Sequence, residues 1–121
     1  MYNEMKILIV INDAPYGTER AYNALRLAGQ LKKTDENAEV RVFLMADAVG
    51  CAISNQTTPN GYYNVERMLK LLVRNGASVK LCGSYTDARG LRNASLVEGA
   101  EISDLAQLAL WTIESDKVVV F

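Results

Sequence analysis

VKLCGSYTDARGL, residues Val79 to Leu91, carries a short apolar strand straight into a cysteine and then into a glycine-broken, helix-like turn. The strand, Ser78 to Cys82, is one of three of the same kind. Lys6 to Ile11 is a nearly continuous aliphatic run, and Val40 to Met45 is rich in Val, Phe and Leu. Such runs mark strands buried on both faces of a parallel sheet rather than alternating surface strands. Helical patterns separate them. From Glu19 onward Ala21, Ala24, Leu25, Ala28 and Leu31 share one face, and Lys32 and Lys33 stand where the helix dipole favours cations. From about Tyr63, Val65, Met68, Leu69 and Leu72 form a second stripe, stopped by Asn75-Gly76. Aliphatic strands joined by helices predict right-handed crossovers and an α/β layered sheet.

The connections are polar. Asn12 to Thr18 contains Asn, Asp, Pro and Gly and reads as a loop, with Thr18 as N-cap of the first helix. Thr34 to Ala38 is a turn, Ala48 to Ile53 suggests a short helix, and Ser54 to Gly61 is a proline-containing loop. Between Asn93 and Glu101 the pattern is weak, with Leu96-Val97 and Ala100 to Ile102 as a short ribbon. Ser103 is expected to cap a last helix in which only Gln107 and Thr112 are polar between Leu105 and Ile113. A helix apolar nearly all round needs cover on its outer side, most simply another subunit. Val118 to Phe121 is expected to close the chain as one more buried strand.

Composition narrows the function. The 121 residues suffice for one domain, 1–121, with half of them hydrophobic, and the formal charge of -1 supplies no basic excess for nucleic acid. No apolar run approaches the roughly 20 residues that span a bilayer. Met1 to Met5 lacks a basic n-region, and Ile7 to Ile11 is too short for a signal core, so a cytoplasmic location with free thiols is expected. Histidine is absent, which excludes a Cys-His or Ser-His couple and any zinc site using its own histidine. Gly-rich phosphate motifs are missing, and no cofactor is implied.

In a parallel sheet the loops after the first three strands, with Asp13, Asp47 and Cys82, emerge at one carboxyl edge, where such folds place ligands. A cysteine at a strand–helix junction meets converging backbone N–H groups, which favour the reactive thiolate. By itself Cys82 reads first as a buried structural thiol, and so does Cys51 between Gly50 and Ala52. Cys51 would matter if it reached Cys82 as a resolving thiol. Asp13 and Asp47 together could take a magnesium ion, although acids after parallel strands are commonly loop caps. Arg89 could stabilise the thiolate or an anionic sulfur species; its bland alternative is an ion pair with Asp87 or Glu98. Thr86-Asp87 and Gly90 read as the start and end of a helical turn, and Tyr62-Tyr63 as packing.

The blocks NDAPYG, ERAYNALRLAGQL, VRVFLMADAV, GYYNVERMLKLL, VKLCGSYTDARGL and EISDLAQLALWTIESDKVVVF, in this order, resemble the DsrE/DsrF-like family and especially its YchN-like branch. The resemblance implies a three-layer α/β/α sandwich with a mostly parallel sheet of about five strands. It implies a homo-oligomer, typically a hexamer, and a role in intracellular sulfur transfer, with Cys82 at the position that carries persulfide sulfur in relay members. Tyr85 stands where several YchN-like proteins have a second cysteine, so a CxxC cycle is not available.

Three readings follow. In the first, a sulfurtransferase-like carrier uses Cys82 with Arg89 and the Gly83-Ser84 amides, and exchanges sulfur with donor and acceptor proteins. In the second, a non-catalytic oligomer binds a small anion through Asn12, Asp13, Asp47, Gly83 and Ser84. In the third, Cys82 and Cys51 form a redox sensor.

Overall fold

The computed structural model describes residues 4–121; the reading of the first three residues as part of a non-signal start lies outside them. Strands β1 (Lys6–Ile11), β2 (Glu39–Leu44), β3 (Ser78–Cys82), β4 (Ala100–Ser103) and β5 (Lys117–Val120) form one sheet in the order β4-β3-β2-β1-β5. Every neighbouring pair is parallel, with Ile9 opposite Val42 and Val42 opposite Val79. The expected five-stranded α/β sheet is therefore present.

Its layers follow from the order of connection. From β1 to β4 the chain steps in one direction; it then returns to set β5 beside β1. With right-handed crossovers, that reversal puts the last helix on the opposite face. Helices α1 (Arg20–Thr34) and α2 (Val65–Arg74), with the 3-10 segment Ala46–Ala52, cover one face. There Ala24, Leu25, Leu69 and Leu72 pack on Ile9, Val42 and Leu81 in the main core. On the other face α4 (Leu105–Glu114) lays Trp111 over Leu8, Phe43 and Cys82. The Phe43 and Trp111 rings meet edge to face with centroids 6.0 Å apart. Helix α3 (Gly83–Ala88) sits at the carboxyl edge.

Local chemistry sets the helix starts. Thr18 is not the N-cap of α1: Glu19 holds that position without a side-chain cap, and Thr18, one residue earlier, accepts the Arg20 N–H at 3.2 Å. The second helix begins at Val65, two residues later than its pattern suggests, because Asn64 accepts the Arg67 N–H at 3.0 Å and so caps it. Ser103 is not the cap of α4: it completes β4, and Asp104 accepts the Gln107 N–H at 2.9 Å. An ionised carboxylate also suits the positive end of the helix. The expected short ribbon is half right: Ala100–Ser103 is β4, whereas Leu96 makes only an isolated bridge to Ile53.

The final strand departs from expectation. β5 pairs on one side only, with β1, and Val118 and Val120 are 42% and 63% exposed. Apolar content signals that a strand wants cover, not that its own chain supplies it. α4 is ten residues, about 15 Å long and 10 Å wide, against a sheet of five strands some 19 Å across. One such helix leaves part of that face open.

The approach to β4 depends on a single glycine. Gly99 has φ +92°, and a Cβ there would lie 2.5 Å from Val73 Cγ1 on α2. Gly99→Ala should therefore cost about 1–3 kcal/mol in urea unfolding, combining left-handed strain with the collision. Adding Val73→Ala should recover only the part due to the collision. Equal stability of Gly99→Ala and wild type would refute this account of the turn.

Candidate functional site

Parallel pairing brings the ends of β1, β2 and β3 to one edge, and with them Asn12, Asp13, the segment containing Asp47, and Cys82. Cys82 is the last residue of β3 and the N-cap residue of α3. Its carbonyl accepts the Thr86 hydroxyl at 2.7 Å, which ties the first turn of α3 to the strand end. Gly83, Ser84 and Tyr85 occupy that first turn, where backbone N–H groups have no intrahelical acceptor.

Glycine at 83 is dictated by crowding. A Cβ there would stand 3.0 Å from the Ser103 carbonyl oxygen, 3.2 Å from Arg92 Nη2 and 3.3 Å from Ile102 Cγ2. Arg92 is a cation at this edge that spacing alone does not single out, since it lies ten residues beyond Cys82 in a segment without periodicity. It pairs with Asp87, and the guanidinium holds the Asp87 carboxyl below its usual range.

Arg89 has a partner different from either alternative considered. Its Nε and Nη2 donate to Asp47 Oδ1 at 3.0 and 2.7 Å, its Nη1 donates to the Tyr85 carbonyl, and its guanidinium lies 5.3 Å over the Tyr85 ring. Asp87 is taken by Arg92. Arg89 thus fastens α3 to the 3-10 segment, and its charge is committed to Asp47.

The remaining edge groups are also occupied. Asp13 Oδ2 accepts the Thr18 hydroxyl at 2.7 Å and lies 3.9 Å from Arg20 Nε. Asn12 donates through its backbone and side-chain nitrogens to the Phe121 carbonyl, fixing the end of β5. Asp13 and Asp47 are each held by their own partners and do not form a shared cation site. Ser84 is exposed.

The two thiols occupy different environments. Cys51 has no exposure, lies in the main core, and burial pushes its pKa up to about 12. Cys82 is 6% exposed and belongs to the smaller cluster with Leu8, Phe43 and Trp111, beside the partly buried Val10, Met45 and Leu108. Both are free. They belong to different clusters, Cys51 to the main core and Cys82 to the smaller one. α4 packs over the strand end and leaves the Cys82 sulfur largely covered within one chain.

The loop after the 3-10 segment is held by a buried carboxylate. Glu66, 6% exposed, accepts the Asn55 and Gln56 N–H groups at 3.1 and 2.8 Å, and Lys70 lies 3.1 Å away. Gln56 in turn donates to the Cys51 and Ile53 carbonyls and accepts the Tyr16 hydroxyl. Tyr62 and Tyr63 are more than incidental packing: Tyr63 stacks on Tyr22 at 4.0 Å and on Tyr62 at 4.5 Å, joining the loop to α1.

This arrangement defines a small parallel α/β domain with one edge thiol and no assembled set of three or more metal-ligating side chains among the described residues. The DsrE/DsrF-like family model matches residues 5–121, and the chain belongs to that family. It is 45% identical over 116 residues to the protein YchN of Escherichia coli K12, covering 96% of this chain and 98% of that one. It is 42% identical over 117 residues to the uncharacterized protein MJ0989 of Methanocaldococcus jannaschii, covering 97% and 100%. The crystal structure of E. coli YchN superposes with a TM-score of 0.93 at 44% identity, covering 97% of this chain and 99% of that one.

The Glu66 contacts give a pH signature. Chiefly the Asn55 N–H, then the Lys70 ammonium and the Gln56 N–H, hold its pKa below the ordinary 4.5. Because the folded value is depressed, the stability it supplies is complete above pH 4.5 and disappears as pH falls through that lower value. Glu66→Gln should cost about 2 kcal/mol at pH 7, and the gap from wild type should narrow towards pH 3. A gap that stays constant from pH 7 to 3 would contradict this role.

Proposed function

We propose that this protein is a sulfur carrier, a sulfurtransferase-like subunit in which Cys82 holds sulfane sulfur between a donor and an acceptor. The observation that supports it is the position of Cys82: the last residue of β3, directly before the first-turn amides of α3, with residual exposure where Cys51 has none. Membership of the DsrE/DsrF-like family supports the same reading.

The chemistry is thiol exchange without net oxidation. The Cys82 thiolate attacks the outer sulfur of a donor persulfide, the donor S–S bond breaks, and the donor leaves as a thiolate. The proton balance closes with Cys82 carrying –S–SH. An acceptor thiolate then attacks that outer sulfur and releases the Cys82 thiolate. Backbone N–H groups at Gly83 and Ser84 are available to the anionic sulfur. Anion binding through Asp13 and Asp47 has less support, since both carboxylates are already paired.

Cover for the site and for the open face comes, in this reading, from further copies of the chain, as the family resemblance to hexamers suggests. Leu105, Leu110 and Ile113 on α4 are 66%, 50% and 82% exposed, beside the exposed Val118 and Val120 of β5. These are large apolar side chains that one chain leaves uncovered. Among the described residues no helix is long and apolar enough to cross a membrane. Two free cysteines suit a reducing, cytoplasmic setting.

Incubation with a persulfide donor, followed by intact-mass and peptide analysis, should show an added 32 Da on wild type and on Cys51→Ala, and none on Cys82→Ser. Loading that persists in Cys82→Ser would eliminate the proposal. Light scattering should report an assembly at micromolar concentration that Leu110→Asp weakens by at least tenfold. A monodisperse wild-type monomer would remove the oligomer from the account.

A further inference from the structure

The near-zero charge of the whole chain hides a segregation of sign. Of its 13 lysines and arginines, seven lie on α1 and α2; of its 14 acids only Glu66 does, buried and paired with Lys70 at 3.1 Å. On α2 the helical spacing of positions 67, 70, 71 and 74 sets Arg67, Lys70, Leu71 and Arg74 along one stripe, and all four are exposed. Helix α1 packs beside it, with Arg26 and Lys33 exposed in turn. Among the described residues Arg26, Lys33, Arg67 and Arg74 form no ion pair.

The fold alone does not account for these charges. Lys33 and Arg74 stand in the last turns of their helices, where a cation suits the dipole. Arg67 stands in the first turn of α2, the end that disfavours a cation, and Lys70 and Arg74 repel each other one helical turn apart. Elsewhere the chain matches its cations: Arg41 with Glu114, Arg89 with Asp47, and Arg92 with Asp87. On the opposite face of the sheet Lys80 donates to Gln107 Oε1 at 3.2 Å and lies 5.1 Å from the centroid of the Trp111 ring. A groove of about 370 Å³ beside α2, lined by Lys70, Val73, Arg74, Glu98 and Gly99, mixes both signs, whereas the stripe itself holds no acid.

We propose that the outer stripe of α2, together with Arg26 and Lys33 of α1, is a docking surface for an acidic protein segment, with Leu71 as its apolar centre. Leu71 is 51% exposed among the cations of its own stripe, the pattern of a contact whose apolar middle is rimmed by charge. Carboxylates of a partner relieve the repulsion between the cations and steer its approach. A membrane surface needs a broad apolar face to receive, and the stripe offers one leucine. Nucleic acid has no use for that leucine and is repelled by the rest of the chain, where 13 acids stand against six bases. In the sulfur-carrier reading further copies cover the α4–β5 surface, across the sheet from this stripe, so the two contacts do not compete. The inference does not depend on Cys82.

The probe is a fluorescein-labelled peptide of glutamates around a central leucine, titrated with the full-length protein and read by anisotropy. Affinity should fall with added salt, by about tenfold in Arg67→Gln/Arg74→Gln and by about fivefold in Leu71→Ala, and should hold in Arg41→Gln on the opposite face. Arg67→Gln alone should melt no lower than wild type, because it removes a cation from the unfavourable end of a helix. No peptide binding by wild type, equal affinity of wild type and the double variant, or an earlier melt of Arg67→Gln would overturn the proposal. So would an oligonucleotide of equal charge, or phosphatidylglycerol vesicles, that bind the stripe as tightly as the peptide. If the double variant changes the mass seen by light scattering, the stripe belongs to contacts between copies and the acidic partner is excluded. A protein that never loads sulfur but binds the peptide through this stripe would remove the carrier reading and leave the docking surface standing.

Discussion

A parallel sheet must be covered on both faces, and this chain covers them unequally. One face receives α1, α2 and the 3-10 segment and closes into a core where Ile9, Val42 and Leu81 have no exposure. The other receives only α4, whose single fully packed side chain is Trp111. Burial at roughly 25 cal/mol per Å2 of apolar surface makes the first face the main source of stability and leaves the second unfinished. Both Cys82 and the exposed α4–β5 surface belong to the unfinished face. The demand for cover and the placement of the thiol are consequences of one topological reversal after β4.

The carboxyl edge shows how little of a charged loop remains free once the chain is folded. Asp13, Asp47 and Asp87 are each matched by an arginine of their own, Arg20, Arg89 and Arg92, and these pairs fasten neighbouring segments. Exposed pairs of this kind are screened by water and add little stability, so their effect is to orient loops rather than to stabilise the fold. With those carboxylates engaged, what remains at the end of β3 is the Cys82 thiol and the first-turn N–H groups of α3.

The main elements were legible because their signals are local. Aliphatic runs without alternation mark β1, β2 and β3, and helical spacing of Ala and Leu marks α1, as that of Val, Met and Leu marks α2, within a few residues. Partner choice is not local. Nothing around Arg89 marks Asp47, 42 positions earlier, as its acceptor, and Glu98 or Asp87 looks equally reachable along the chain. Burial of β5 was misjudged for a related reason: Val118 to Phe121 is apolar, but its place at the sheet edge depends on where the chain returns. Lys80 was overlooked because one charged residue in a strand of Val and Leu reads as an interruption. Only the fold shows that it shares a face with Cys82.

Both thiols are buried, so burial alone does not distinguish an inert one from a useful one. Cys51 is enclosed by the main core, where desolvation disfavours its charged form and the Gln56 amide is spent on its carbonyl. Cys82 is enclosed by the thinner layer that α4 provides, with the Lys80 ammonium against Gln107 and Trp111 on the same face. The second face is thinly covered: it keeps water from most of the thiol yet leaves Leu110, Ile113 and Val120 exposed.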